Sequence, residues 1–367
     1  MSSRAGGVGL VVGLALVLSG CSGPAAPDRP KVGVILPTSD TAPHWEDADA
    51  QVLERVLRTE GLEPTVENVA GGAAPLIAMA NQMINNGSKV LVIATPDDAV
   101  EAAVVAEVKK RGVPTIDYDL RGTSSPADYA LTLDYRKIGE LQGRGLIRGV
   151  RGTPAAKIVE LEQGPTDSAV AELAEGQRNI LQPRYDKGSY NLAGSERLPS
   201  GAEAAGAGDP AAGNPAATAA FTRLLAAAGG SVDGVVAAND QVAAAAIAVL
   251  REKQLTGKVT VTGFGASPDA LKSILRGEQF MTVYAPVESQ AGATAKLAAA
   301  LAGGDRPAAD QLTLGAPAKA GAARAVAVAP ASVTLDTIKQ VFDSGAVSSD
   351  DVCAGDLALR CNQLSIS

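Results

Sequence analysis

His44 and Trp45 stand side by side, the single histidine and the single tryptophan of 367 residues. Histidine is the side chain whose ordinary pKa suits proton transfer near neutral pH, and an indole offers a flat apolar face to a ring. The other polar candidates follow apolar runs: Asp119 after Val113–Tyr118, Asp134 after Tyr129–Leu133, and Asn239-Asp240 after Gly234–Ala238. Nucleophilic catalysis needs a nucleophile beside an oriented base. Here the sole histidine lies in a loop and no serine elbow is present. Two acids about 5–10 Å apart could cleave a glycosidic bond, and Asp119 with Asp134 is the pair considered for it. The set reads better as a binding site, with an aromatic wall and a few polar groups to orient a small ligand. No cofactor and no metal site are expected, and the chain is read as a non-enzyme.

These residues need a frame to hold them. Val32-Gly33-Val34-Ile35-Leu36 stops at Pro37 and reads as a buried strand of a parallel sheet. A loop leaving the carboxyl end of such a strand is where open α/β sheets bind ligands, which makes Trp45 and its neighbours one wall of a cleft. A helix is expected over Asp49–Thr59, with Val52, Leu53, Val56 and Leu57 on one face and a stop at Gly61. Strand Pro64–Val69, helix Pro75–Asn86, strand Lys89–Ala94 and a helix from Asp97-Asp98 to Arg111 follow, then the strands before Asp119 and Asp134. The pattern restarts with helix Lys137–Arg148, strand Lys157–Leu161 and helix Ser168–Leu181. Gly194–Ala217, rich in Gly, Ala and Pro, reads as a mobile surface insertion. Helix Thr218–Ala227, strand Gly234–Ala238, helix Val242–Lys253, strand Val259–Gly263, helix Pro268–Arg276, strand Met281–Tyr284, helix Glu288–Leu301 and strand Arg324–Val328 complete it.

Strict βα alternation, given twice, predicts an α/β protein of two doubly wound parallel-sheet, Rossmann-like domains. The chain is expected to cross between them near Asp134, near Gly263–Gly265 and near Tyr284–Pro286, a three-crossing hinge. The first lobe is then 31–134 plus about 264–284. The second is 135–263 plus about 285–330, and 331–367 is a tail.

Composition is that of a globular chain, not a disordered one: 46% hydrophobic and 20% charged. A net charge of −8 argues against nucleic acid as a partner. Residues 1–20 read as a signal peptide whose apolar core, Gly9–Leu18, is short for a membrane span. Leu18-Ser19-Gly20-Cys21 resembles a bacterial lipobox, so Cys21 is the expected lipidation site and 21–30 a tether. The expected location is the extracytoplasmic face of the cell membrane, held through the lipid alone. Several acyl chains, at about 0.8 kcal/mol for each buried CH₂, anchor firmly where one does not. Export places Cys353 and Cys361 in a compartment that permits disulfides. Pairing them would stabilise the chain by roughly 2–3 kcal/mol in the chain-entropy model. Two free thiols, or a metal site lacking any nearby histidine, are the alternatives.

From about Pro30 to Cys361 the chain resembles the sugar-binding lipoproteins of ABC importers, of the xylose- and ribose-binding type within the type 1 periplasmic binding proteins. The stretches that carry this are VGVILPT, HWEDAD, MINNGSKVLVIATPDD, GVPTIDYD, IGELQGRGL, PTDSA, VVAAND, GKVTVTG and MTVYAP. The tail DVCAGDLALRC is similar to the disulfide-closed tail of actinobacterial members. The resemblance implies two lobes closing on one ligand, delivery to an ABC permease, and a monomer. It implies ligand contacts from Trp45, Glu46, Asp49, Asp119, Asp134, Asn239 and Asp240.

Other positions depart from the family. Its Asp-Arg pair after the strand ending at Tyr118 is Asp119-Leu120 here, with Arg121 one place late. Its Asp-Asn at the first crossing is Asp134-Tyr135, its Asn pair after Thr-Asp is Ser168-Ala169, and its Gln-Asp at the second crossing is Phe264-Gly265. Its Lys after Thr-Val-Tyr is Ala285. Each lost charged hydrogen bond removes about 1.5–3 kcal/mol from a sugar site. Tyr135 and Phe264 add ring surface instead. The expected ligand is a small ring-bearing solute, such as a sugar, a nucleoside or a related polar metabolite, with Trp45, Tyr135 and Phe264 stacking on it and Asp119, Asp134 and Asn239 orienting it. A family member that senses or docks without transport is the competing reading.

Overall fold

The computed structural model of the protein describes residues 1, 29–38, 45–95, 97–118, 120, 124–163, 168–198, 214–317 and 321–366. The expected signal peptide, Cys21, His44, Asp119 and Arg121 lie outside them.

Val-, Ile- and Leu-rich runs that are buried on both faces form parallel strands under helices. That is what β1 (Lys31–Leu36) and β3 (Val90–Ile93) do. Around them come a π-helical turn (Trp45–Asp49), α1 (Ala50–Thr59), β2 (Glu63–Asn68), α2 (Ala73–Asn85), α3 (Asp98–Lys110), β4 (Thr115–Asp117) and β5 (Tyr129–Leu133). The second unit runs α4 (Tyr135–Gly149), β6 (Ala156–Gln163), α5 (Ser168–Asp186), β7 (Tyr190–Leu198), α6 (Pro215–Ala227), β8 (Gly234–Ala237), α7 (Asp240–Glu252), β9 (Thr260–Thr262), α8 (Pro268–Leu275) and β10 (Met281–Tyr284). Then come α9 (Val287–Ala302), α10 (Arg306–Gln311), β11 (Arg324–Val328) and β12 (Ala331–Thr334), followed by the short tail helices α11 (Lys339–Asp343), α12 (Ser349–Val352) and α13 (Ala358–Gln363).

Among the described residues these strands make two six-stranded sheets, ordered β11-β5-β4-β3-β1-β2 and β12-β10-β9-β8-β6-β7. Every pairing is parallel except β10 with β12. Apolar clusters fill both faces of each sheet, with Leu53, Leu57, Ala295 and Ala298 covering one side of the first and Leu76, Met83, Val104 and Val108 the other.

One of the expected crossings needs correction, and with it the lobe assignment of two segments. Gly263–Gly265 does not leave the second sheet: Gly263 and Gly265 donate backbone hydrogen bonds to Met281 and Val283 of β10, at 3.0 and 2.8 Å. Residues 264–284 therefore belong to the second lobe. The segment assigned to the second lobe, 285–330, instead carries α9 and β11 onto the first. The chain crosses at Asp134, at Ala285-Pro286, and between β11 and β12. Sequence periodicity reveals that an element is buried, not which of two similar sheets buries it.

Two further expectations shift. The insertion starts later than Gly194, because β7 continues to Leu198. Only Tyr190 and Leu198 are buried in β7, so this edge strand shows no apolar alternation. At the other end α6 begins at Pro215, capped by Asn214, which accepts from the Ala217 N–H at 3.0 Å. Cys353 and Cys361 form a disulfide with Cα atoms 5.8 Å apart. Cys361, Val352, Leu357 and Ile366 pack with Leu271, Ile274 and Tyr284, so the tail is built onto the second lobe.

Candidate ligand-binding site

The carboxyl ends of both sheets gather the polar residues. On the first lobe, helical structure starts at Trp45, earlier than the Asp49 expected, so Trp45 opens a helix instead of hanging in a loop. Its ring is 8% exposed, within the core cluster. It meets Tyr118 edge-on, ring centroids 6.3 Å apart. The Tyr118 hydroxyl donates to Asp49 Oδ1 at 2.6 Å, and both residues are buried. Burial first, then the Asp49 carboxylate, holds the Tyr118 phenol well above its ordinary pKa. Gln290 of α9 donates to the Tyr118 carbonyl at 2.6 Å, which ties the second crossing to this wall. Asp49, expected as a ligand contact, is thus a buried support of the wall through its bond to Tyr118. Glu46 is exposed. Leu120, at the position where the resembled family has Arg, adopts φ 60°, a left-handed backbone uncommon for a branched side chain and found where surroundings over-determine it. A cleft, about 550 Å³ of space counting the part open to solvent, lies at the ends of β1, β2 and β3, between Pro37, Thr38, Gly71, Gly72, Thr95 and Asp97.

On the second lobe a cavity, about 450 Å³ of space counting the part open to solvent, is lined by Tyr135, Glu162, Val170, Leu173, Ala174, Gln177, Ala238, Asn239 and Phe264. Tyr135 and Phe264 meet edge-on there, 6.2 Å between centroids. Asp134 lies beside it, half-buried, accepting from the Lys137 N–H at 2.9 Å as the cap of α4. Asn239 caps α7 by accepting from the Val242 N–H at 3.0 Å.

Asp240, expected among the ligand contacts, is engaged inside the second lobe. It is 6% exposed and absent from the cavity lining. Its carboxylate accepts from Thr282 Oγ1 (2.8 Å), Gln279 Nε2 (3.0 Å) and the Ser267 N–H (3.0 Å). Burial raises its pKa and these donors oppose the rise. It is a knot that fastens α7 to the β9–α8 turn and to β10.

The sequence reading passed over Glu162, Gln177 and Gln142. Gln142 is fully buried and donates to the Ala237 carbonyl at 2.9 Å, while Gln177 donates to Gln142 Oε1 at 2.7 Å. The trace was present: Gln142 lies midway between Ile138 and Leu146, and Gln177 between Leu173 and Leu181. Each is a polar residue inside an apolar helical stripe, which folding tolerates when its hydrogen bonds are met.

Comparison with known proteins adds the decisive observation: residues 32–306 match the periplasmic binding protein domain. The chain belongs to the periplasmic binding protein family. As such it is a solute-binding protein and not an enzyme. This periplasmic binding protein is 29% identical over 270 residues to the D-xylose-binding periplasmic protein of Escherichia coli K12, covering 72% of this chain and 76% of that one. It is 29% identical over 307 residues to the multiple sugar-binding periplasmic protein SbpA of Azospirillum brasilense, covering 81% and 84%. A solved carbohydrate transporter solute binding protein from Chloroflexus aurantiacus, in complex with D-glucose, shares the fold. Its TM-score is 0.53 at 24% identity, over 88% of this chain and 98% of that one.

Proposed function

We propose that this periplasmic binding protein is an extracytoplasmic lipoprotein, anchored through Cys21. As a monomer it captures one small sugar or sugar-like ring and delivers it to an ABC permease. The observation that carries the reading is the second-lobe cavity, where Tyr135 and Phe264 supply ring surface and Asn239 a polar group, directly beside the first crossing. Relatives named for xylose and for multiple sugars support the ligand class. A ligand held between the lobes favours the closed form because it touches both, and that form is what a permease can distinguish. Tyr135, Phe264, Leu120 and Ala285 favour a ring less hydroxylated than xylose or ribose. Asp119 and Asp134 orient it. Trp45, with so little of its ring accessible, acts as a packed support of the first wall.

A thermal-shift screen of pentoses, hexoses, polyols and nucleosides tests this. A ligand at a hundred times its Kd stabilises by about 2.7 kcal/mol. Absence of any shift across the panel overturns solute capture, and tight binding of xylose or ribose overturns the altered pocket.

A further inference from the structure

The amides of the second-lobe cavity are fixed in orientation. Gln142 spends its NH₂ on the Ala237 carbonyl at 2.9 Å, so its Oε1 is the end left to accept. Gln177 Nε2 donates to that oxygen at 2.7 Å. Turning either amide over would set N–H against N–H or C=O against C=O. Gln177 Oε1 is therefore the end left over, on a side chain 6% exposed that lines the cavity. Among the described residues nothing donates to it. Asn239 is fixed the opposite way: its Oδ1 is taken by the Val242 N–H, which leaves its NH₂ for the cavity. Glu162 adds a carboxylate to the lining and is held by Arg197 at 3.2 Å. Among the described residues no lysine or arginine lines the cavity.

We propose that Gln177 contacts the ligand through its carbonyl oxygen and that Gln142 is the positioning residue that fixes it so. The second lobe then selects an uncharged ring bearing a hydrogen-bond donor, an amine or hydroxyl, on the edge that enters beside Tyr135 and Phe264. A ligand offering only acceptors there leaves Gln177 Oε1 buried and unpaired, and sites built to hydrogen-bond a donor reject analogues that lack it. An anionic ring meets Glu162, whose cationic partner Arg197 is not among the described lining residues. The proposal rests on the reading of the protein as a solute-binding protein.

The test is calorimetry on the mature chain with D-glucose, D-xylose, D-ribose and adenosine. The tightest of these is then compared with its monodeoxy forms (inosine, if adenosine binds) and with a carboxylated or phosphorylated form. The expected result is that removing one donor, and adding the anion, each weaken binding at least about tenfold. Gln177→Leu should weaken the parent ligand at least about tenfold and lose the discrimination between parent and donor-less analogue. Gln142→Met, which frees the Gln177 amide to turn over, should narrow that discrimination while the parent still binds. A folded Gln177→Leu that binds and discriminates as before, or an anionic form bound as tightly as its neutral parent, overturns the proposal. If none of the four binds, the ring found in the thermal-shift screen takes their place in the same comparison, and only a screen silent throughout overturns the solute-binding reading and this inference with it.

Discussion

The hydroxyl of Tyr118 donates to the carboxylate of Asp49 at 2.6 Å, joining the end of β4 to the helical turn that carries Trp45. Both groups are buried. Tyr118→Phe removes a donor to a buried carboxylate, which costs roughly 1–3 kcal/mol. Urea unfolding should report that loss. The emission of Trp45, the one tryptophan, should move to the red as its packing loosens. An unchanged unfolding midpoint would show that the bond contributes nothing.

Asp240 should give the second lobe a pH dependence of a definite sign. Its folded pKa lies above the unfolded value of 3.8 because burial disfavours the charge. Between 3.8 and the raised folded value the native state holds the proton more often than the unfolded state does. The contribution of this group to stability therefore falls as pH rises through that window and is largest below it. Asp240→Asn removes the dependence. It also turns an NH₂ toward one of three donors, for a loss of roughly 2–4 kcal/mol at pH 7. Chemical unfolding of both proteins from pH 4 to 8 should show their gap widening on acidification.

The two residues also show how far the sequence could be read. Asp49 and Asp240 sit where the resembled family places ligand contacts, and their types suit that work. Nothing local reveals that Tyr118, 69 residues beyond Asp49, and Thr282, 42 residues beyond Asp240, claim their oxygens first. Strand and helix order was legible because apolar runs, caps and glycine stops are local. Lobe membership was not, since β10 and β11 look alike as short apolar strands and only their pairing separates them. Tyr135 and Phe264 were picked out as departures from the resembled family and Asn239 as a match to it, and the structure sets all three around one cavity. Gln177 was hidden in the middle of α5, where no strand end marks it.

Tyr135 and Phe264 are each half-buried and line the same cavity. Replacing either by Ala should weaken ligand binding by about 1–2 kcal/mol, or roughly five- to thirtyfold, through lost ring contact. Calorimetry with the ligand found in the screen, beside a melting curve for each variant, separates this from unfolding. Equal affinity in both variants would place the ligand elsewhere.

The disulfide Cys353–Cys361 closes a short loop in a tail already seated on Leu271, Ile274 and Tyr284. Its loss in the Cys353→Ser/Cys361→Ser double variant should cost about 2–3 kcal/mol in the chain-entropy model. Hydrogen exchange should show the faster opening confined to the tail and α8, with the first lobe unchanged. Exchange that quickens equally in both lobes would mean that the tail is coupled to the whole molecule.

Helices α4 and α5 touch backbone to backbone. A Cβ on Gly139 would lie 2.0 Å from the Leu173 carbonyl oxygen, and one on Gly176 would lie 2.0 Å from that of Arg136. Neither contact can be relieved by turning a side chain, so an added methyl must drive the helices apart. The face of α5 that would move carries Val170, Leu173, Ala174 and Gln177 into the cavity. It would also stretch the 2.7 Å bond from Gln177 to Gln142. Gly139→Ala and Gly176→Ala should each destabilise the protein by about 1–3 kcal/mol, the usual cost of overpacking. They should also weaken ligand binding, although neither glycine lines the cavity. Gly292→Ala, on α9 where a Cβ meets nothing within 4 Å, is the control and should leave both properties unchanged. If the α4–α5 variants bind ligand normally at a temperature where they remain folded, the spacing of these helices does not set the shape of the site.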